Sequence, residues 1–253
     1  MLSRVLEPEV MDSPLDAADY DAMDHAEVNR RFVADLLAAC REKIGTGTSP
    51  PPVAADDANA PLGASPIFSL PDGPTLDLGV GTAQIPIELC RQWPAAQVLG
   101  VDLAHSMLAR ARQNVERAGL ADRIRLELAD AKRLPHAGGA FAAVISNSIV
   151  HHIPEPRGML AEALRVTAPG GLIFIRDLMR PASAEQLTRL VDAYAAGCND
   201  HQRQLFADSL RAALSLDEIR CLVESLGGDP ADVQATSDRH WTWKQKIKTR
   251  NGK

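Results

Sequence analysis

From Thr75 onward, short apolar runs alternate with longer stretches whose apolar residues recur every three or four positions. The runs at 75–78, 97–102, 124–128, 142–146 and 172–177 have the length of strands, and the last is apolar enough to be buried on both faces. Between them, 83–93, 106–118 and 157–167 carry helical periodicity. Pro86 falls in the first turn of its helix, where proline is tolerated. Gly119 closes the second helix, and Pro169-Gly170-Gly171 stops the third. Further helices are expected at about 183–197 and 216–226. Segments 233–237 and 240–247 then read as two strands joined by Asp238-Arg239, an antiparallel hairpin at the sheet edge. Alternation of this kind implies an α/β fold with right-handed crossovers. The expectation is a doubly wound, mostly parallel seven-stranded sheet with an antiparallel edge hairpin.

Upstream, Val28, Phe32, Leu36 and Leu37 recur at helical spacing, with Arg30, Arg31 and Asp35 between them, so 16–44 reads as helical. The next stretch, 45–74, is rich in Gly, Pro, Ala and Ser and includes Ser49-Pro50-Pro51-Pro52. It buries little and breaks both regular structures, as a flexible linker does. Three parts follow: an N-terminal helical segment over 1–44, a linker over 45–73 and the main domain over 74–253.

Composition narrows the chemistry. A net charge of −6 argues against capture of a nucleic-acid backbone, although the tail from Lys244 carries Lys246, Lys248, Arg250 and Lys253. No apolar stretch reaches the roughly 18 residues of a membrane span, and the acidic N-terminus is unlike a signal peptide. Cys40, Cys90, Cys198 and Cys221 are widely spaced and form no paired motif, which fits a reducing cytoplasm without a disulfide framework.

In open α/β sheets, ligands bind beyond the carboxyl ends of the strands. After the first strand comes Gly79-Val80-Gly81-Thr82, a turn that admits a ligand close to the backbone and opens a helix N-terminus. A dinucleotide fingerprint would need a third glycine where Gln84 stands. After the second strand, Asp102 lies 21 residues beyond Gly81, a spacing that suits hydrogen bonds from both ribose hydroxyls or, alternatively, a helix cap. After the third, Asp130 with Ala131 can read an adenine edge or simply form a surface turn.

Together these residues resemble the class I S-adenosylmethionine-dependent methyltransferases. The resemblance rests on five segments in order: Leu76-Asp77-Leu78-Gly79-Val80-Gly81-Thr82, Gly100-Val101-Asp102-Leu103, Asp130-Ala131, the stretch from Phe141 to Ser148, and Val166-Thr167-Ala168-Pro169-Gly170-Gly171. It covers roughly 74–180 and implies a Rossmann-like fold. The implied cofactor is S-adenosylmethionine, leaving as S-adenosylhomocysteine. Gly79 and Gly81, with Asp77 and Thr82 of the same turn, would lie beside its methionine part. Asp102 and Leu103 would meet the ribose, and Asp130 and Ala131 the adenine. Asn147 and Ser148 would face the sulfonium and the acceptor. Ala83 departs from the glycine often found at its position.

The stretch Ser148-Ile149-Val150-His151-His152-Ile153 is similar to the small-molecule branch, which includes ubiquinone and menaquinone biosynthesis methyltransferases, and lacks the Asn-Pro-Pro-Tyr-type tetrapeptide of nucleic-acid enzymes. A small methyl acceptor, methylated at O, N or C, is the implied partner. His151 and His152 are candidate proton acceptors, His151 slightly ahead; packing and loop solvation are the alternatives. The segment from Asp19 to His25 resembles a mobile cover, which Tyr20 and His25 would close. His201 and Arg203 mark a second candidate acceptor surface, with an exposed amphipathic helix as the alternative. Asp177 and Arg180 would bind a polar acceptor or form a surface ion pair. Alternation places Trp241 and Trp243 on one face, where packing is the default. A metal site built from His151, His152 and Asp177 would require a geometry the sequence does not supply, so no metal is expected. A nicotinamide-dependent oxidoreductase and a non-catalytic cofactor-binding relative are the competing readings; Gln84 and the terminal hairpin count against the first.

Overall fold

The computed structural model describes residues 2–10, 12–22, 25–41 and 73–249. The expected linker, apart from Gly73, lies outside the described residues, as do Met23, Asp24, Arg250 and Lys253. The periodic stretch expected over 16–44 is two helices, α1 (Pro14–Ala22) and α2 (Ala26–Arg41). They pack on different neighbours, which one straight rod could not do. Phe32, Val33, Leu36 and Leu37 turn the buried face of α2 inward, whereas Val28 stays exposed.

Strand β1 (Thr75–Leu78) is buried at every position and lies between β2 (Val98–Asp102) and β4 (Phe141–Asn147), parallel to both. Outside them, β3 (Ile124–Leu128) pairs parallel with β2, and β5 (Thr167–Leu178) with β4. Strand β7 (His240–Lys246) runs antiparallel along β5, and β6 (Val233–Ala235) antiparallel along β7. The order is β3-β2-β1-β4-β5-β7-β6, the expected Rossmann-like sheet with its antiparallel edge hairpin. Helices α3 (Gln84–Gln92) and α4 (His105–Arg117) make the crossovers on one half. The chain then returns past β1 to start β4, and α5 (Arg157–Val166) carries it to β5. The strand order therefore reverses between β1 and β4, and a crevice opens beyond their carboxyl ends.

Strand β5 starts five residues before the expected position. Thr167 already pairs with Phe141, and the register shifts between Phe141 and Ala143. Pro169-Gly170-Gly171 is thus the irregular opening of the strand rather than a gap before it. Gly171 is required there because a Cβ would sit 2.7 Å from the Ala142 carbonyl oxygen. Beyond β5 come α6 (Ala184–Tyr194), α7 (Asp200–Ala212) and α8 (Leu216–Ser225). A reciprocal capping box between Asn199 and Gln202 starts α7.

Each face of the sheet has its own core. On one, Phe32 and Leu36 of α2 meet Leu89 of α3 and Leu108 of α4. On the other, Trp241 and Trp243 pack with Leu160 of α5 and Val223 of α8, both tryptophans fully buried on one face as their alternation required. Arg176 pins α2 to the sheet. Its guanidinium donates to Thr242 Oγ1 at 2.9 Å and Asp35 Oδ2 at 2.8 Å. Among the described residues, no helix is long and apolar enough to cross a membrane.

Candidate active site

The turn after β1 holds three residues at positive φ: Gly79 (71°), Gly81 (53°) and Ala83 (65°). Glycine adopts this region freely, whereas Ala83 accepts a cost of about 1–2 kcal/mol to stay there. Gly79 is also fixed by contact, because a Cβ on it would lie 2.1 Å from Ile149 Cγ2.

Asp102, at the end of β2, locks this turn. Its Oδ2 accepts from the Gly81 N–H at 2.8 Å and its Oδ1 from the Ala104 N–H at 2.9 Å, where α4 begins. These bonds shape the turn ahead of α4, whose N-cap is Ala104 and which no side chain caps, and the same carboxylate lines the cleft beyond the strands. Burial pushes its pKa up despite the backbone donors.

The cleft measures about 800 Å³, part of it open to solvent. Gly79, Gly81, Asp102, Leu103, Asp130, Ala131 and Asn147 all line it, so the ends of β1 to β4 converge on one space. Asp130 Oδ1 accepts from the Lys132 N–H at 2.9 Å and faces Lys132 Nζ at 3.0 Å; burial is the largest single influence and raises its pKa, but the backbone N–H, ammonium hydrogen bond and charge of Lys132 together hold the carboxyl below its usual range. A smaller recess of about 390 Å³ shares Gly79, Gly81 and Asn147 with the cleft and adds Asp77 and Thr82. There, burial and then the charge of Asp102 push the Asp77 carboxyl well above the ordinary range. Among the described residues nothing offsets that charge, and Thr82 Oγ1 is buried without a hydrogen-bond partner.

Tyr20 lines both spaces and His25 the smaller one, their rings 5.1 Å apart. Ser148, held at φ 62°, and His152 line the far side of the cleft. His151 does not. It is sealed behind His152, with Nδ1 2.5 Å from Asp177 Oδ1 and Nε2 3.4 Å from Glu7 Oε1. Burial opposes its charge, but the two carboxylates prevail and raise its pKa. His152 falls to about 3, through burial and the charge of His151. The expected ranking of the two histidines is thus reversed by access to the cleft.

The other candidates are placed elsewhere. Asp177 is fully buried within β5, accepting from the Val150 and Leu178 N–H groups as well as facing His151. Arg180 is also buried and bonds Glu218 and the Ala213 carbonyl, so the pair is neither an acceptor mouth nor a surface ion pair. Arg203 ties α7 to α6 through Asp192 and the Ala195 carbonyl, and His201 is exposed on the same helix. Neither lines the cleft.

What the sequence did not reveal is a strap formed by residues 2–10 and continued at Asp12. Arg4 donates to the carbonyls of Ala212, Pro154 and Ile153. Glu7 then meets the histidine pair, Glu9 bonds Lys132, and Asp12 accepts from the Ser106 N–H at 2.8 Å. Glu9 and Val10 line the cleft. Alternating acids and apolar residues without a period gave no local sign of this course.

Residues 75–171 match the family model for a methyltransferase domain. Over that stretch, which runs from β1 into the opening of β5, the chain is similar to methyltransferase domains. It is 34% identical over 110 residues to the ubiquinone/menaquinone biosynthesis C-methyltransferase of Desulfotalea psychrophila, covering 44% of this chain and 43% of that protein. It is 29% identical over 203 residues to the malonyl-[acyl-carrier protein] O-methyltransferase of Geobacter sulfurreducens, covering 79% and 65%. The chain thus spans less than two thirds of the length of these relatives. A crystal structure assigned as an S-adenosyl-L-methionine-dependent methyltransferase of Methanococcus maripaludis aligns over 100% of this chain and 99% of that one. Its TM-score is 0.62 at 14% identity, a likeness of fold. S-adenosylmethionine is the cofactor of such methyltransferases, and the residues present fit it: the recess offers a buried carboxyl group that has no counter-charge among the described residues, and the cleft offers two more carboxyl groups to a nucleoside.

Proposed function

We propose that this chain transfers the methyl group of S-adenosylmethionine to a small-molecule acceptor by in-line displacement. The observation that carries the reading is Asp77, a buried carboxylate lacking a counter-charge among the described residues, in a recess continuous with the cleft that holds Asp102 and Asp130. The methionine ammonium would supply that charge. The ribose hydroxyls would meet Asp102, the adenine would lie toward Asp130, Ala131 and the exposed Leu103, and Gly79, Gly81 and Thr82 would flank the methionine part. Bound cofactor supplies an electrophilic methyl group. The protein then has to position, desolvate and exclude water, which accounts for most of the rate in such a displacement.

The acceptor would enter beside Asn147, Ser148, Ile149 and His152, where the cleft continues past the cofactor. His152, neutral at physiological pH, would present an uncharged ring to it while its nitrogens face Glu7 and the Pro8 backbone, with His151 and Asp177 acting as positioning residues behind. The relatives methylate different atoms, as their names record, so O, N and C all remain within this proposal. Tyr20 and the strap would form the cover, with 45–73 as its tether to the domain at 74–253. Four free thiols suit the reducing cytoplasm.

Calorimetry with S-adenosylmethionine, S-adenosylhomocysteine and NAD tests the cofactor. Binding of the first two without NAD is expected, and NAD binding alone would overturn the proposal. Transfer of labelled methyl to a panel of small phenols, amines and enolisable ketones then tests the acceptor class.

A further inference from the structure

Behind the acceptor end of the cleft, the strap and the body together assemble three side chains that no step of methyl transfer uses jointly. Glu7 Oε1 lies 3.2 Å from His152 Nδ1 and 3.4 Å from His151 Nε2, and the three donor atoms lie within 4.8 Å of one another. Two ligands at zinc-type distances on a tetrahedral ion are about 3.3 Å apart. The two separations from Glu7 are therefore those of neighbouring ligands in one coordination sphere. As hydrogen bonds the contacts are misaligned, since Glu7 Oε1 and His152 Nδ1 are both buried without a partner.

What holds each ligand strengthens the case. His151 Nδ1 faces Asp177 Oδ1 at 2.5 Å, which leaves Nε2 toward Glu7. His152 uses its ring for a hydrogen bond to the Pro8 backbone, while Nδ1 stays unpaired. Glu7 Oε2 accepts from Ser209 Oγ at 3.3 Å, which turns Oε1 inward. In each ligand, one polar atom is fixed by an outer partner and the other converges on the same point, as metal-binding histidines and carboxylates are commonly held. Arg4, a cation that faces His151, is spent on backbone carbonyls.

We propose that Glu7, His151 and His152 form a binding site for a divalent first-row transition ion of the zinc type. Two imidazoles and one carboxylate with a free position select such an ion over Mg²⁺ or Ca²⁺, which require oxygen ligands. Because Glu7 belongs to the strap and the histidines to the body, the ion would bolt the strap in place.

The site is tested on tag-free full chain by equilibrium dialysis against Zn²⁺ alone and by the visible absorption of Co²⁺ alone, independently of activity. One ion per chain is expected, unaffected by excess Mg²⁺. Glu7→Gln and His152→Ala should each weaken binding at least ~10-fold, and Asp177→Asn by about 10–100-fold, as lost outer partners do. Glu7→Gln lies on the strap, so its fold can be verified by circular dichroism and S-adenosylhomocysteine binding. Absence of stoichiometric binding to the wild-type chain would overturn the proposal, and so would binding that survives both Glu7→Gln and His152→Ala.

Discussion

Replacing Asp77 by asparagine should make the empty protein more stable and the loaded one weaker. The side chain is 2% exposed, between Gly100 of β2 and Ile145 of β4 in register. Burial and Asp102 raise its pKa well above the ordinary value, so the folded chain holds this proton more tightly than the unfolded one. The resulting stability is present below the unfolded pKa and is lost as pH rises through the folded pKa. Asparagine keeps the shape and removes the titration. At pH 8 the cofactor-free variant should therefore melt above wild type, by about 2–4 °C for each kcal/mol recovered in a chain of this size. Cofactor binding moves the other way. A charge-assisted hydrogen bond to the ammonium is worth about 1.5–3 kcal/mol, so Kd should rise about 10- to 150-fold. Wild-type affinity should also fall as pH drops, because the ammonium needs the ionised carboxylate; the variant's affinity should be flat. Scanning calorimetry of the cofactor-free chains and titration calorimetry with S-adenosylhomocysteine from pH 5.5 to about 8.5 read both effects. A variant that binds as tightly as wild type, or melts lower without cofactor, would refute the reasoning.

Three further outcomes are expected. Asp102→Ala should weaken S-adenosylhomocysteine about ten-fold or more and also lower Tm, because Gly81 and Ala104 lose their acceptor; unchanged affinity would reduce Asp102 to a support for the two turns. Gly79→Ala should abolish cofactor binding and cost more than the about 1–2 kcal/mol of its positive φ, since Ile149 obstructs the new methyl, whereas Gly119→Ala, with open space around it, should cost only the φ term. Equal Tm losses in the two would argue against the contact. Arg4→Ala removes three well-made carbonyl bonds from the strap; faster release of S-adenosylhomocysteine in stopped-flow and quicker proteolysis near the N-terminus should follow, and an unaltered release rate would separate the strap from cofactor exchange.

Most of the sheet and the cofactor half of the candidate site were legible in the sequence because both depend on local pattern. Apolar runs of strand length, glycines at positive φ and carboxylates within, at or just past a strand's carboxyl end are written over a few consecutive positions. The opening of β5 was misplaced because its irregular pairing with β4 is a property of two strands and is invisible in one. Asp177 and Arg180, read as binding a polar acceptor or forming a surface ion pair, are buried with different partners, since the turn bearing His151 meets one and α8 the other. The acceptor end is the least local part of the molecule. Glu7 meets His151 and His152 across more than 140 residues of chain, held there by Arg4, whose partners lie 149 and 208 positions away. No periodicity records such contacts. The sequence alone determined which strand ends gather the candidate cofactor residues, because that is local pattern; only tertiary packing decided which histidine sees the cleft and what stands behind it.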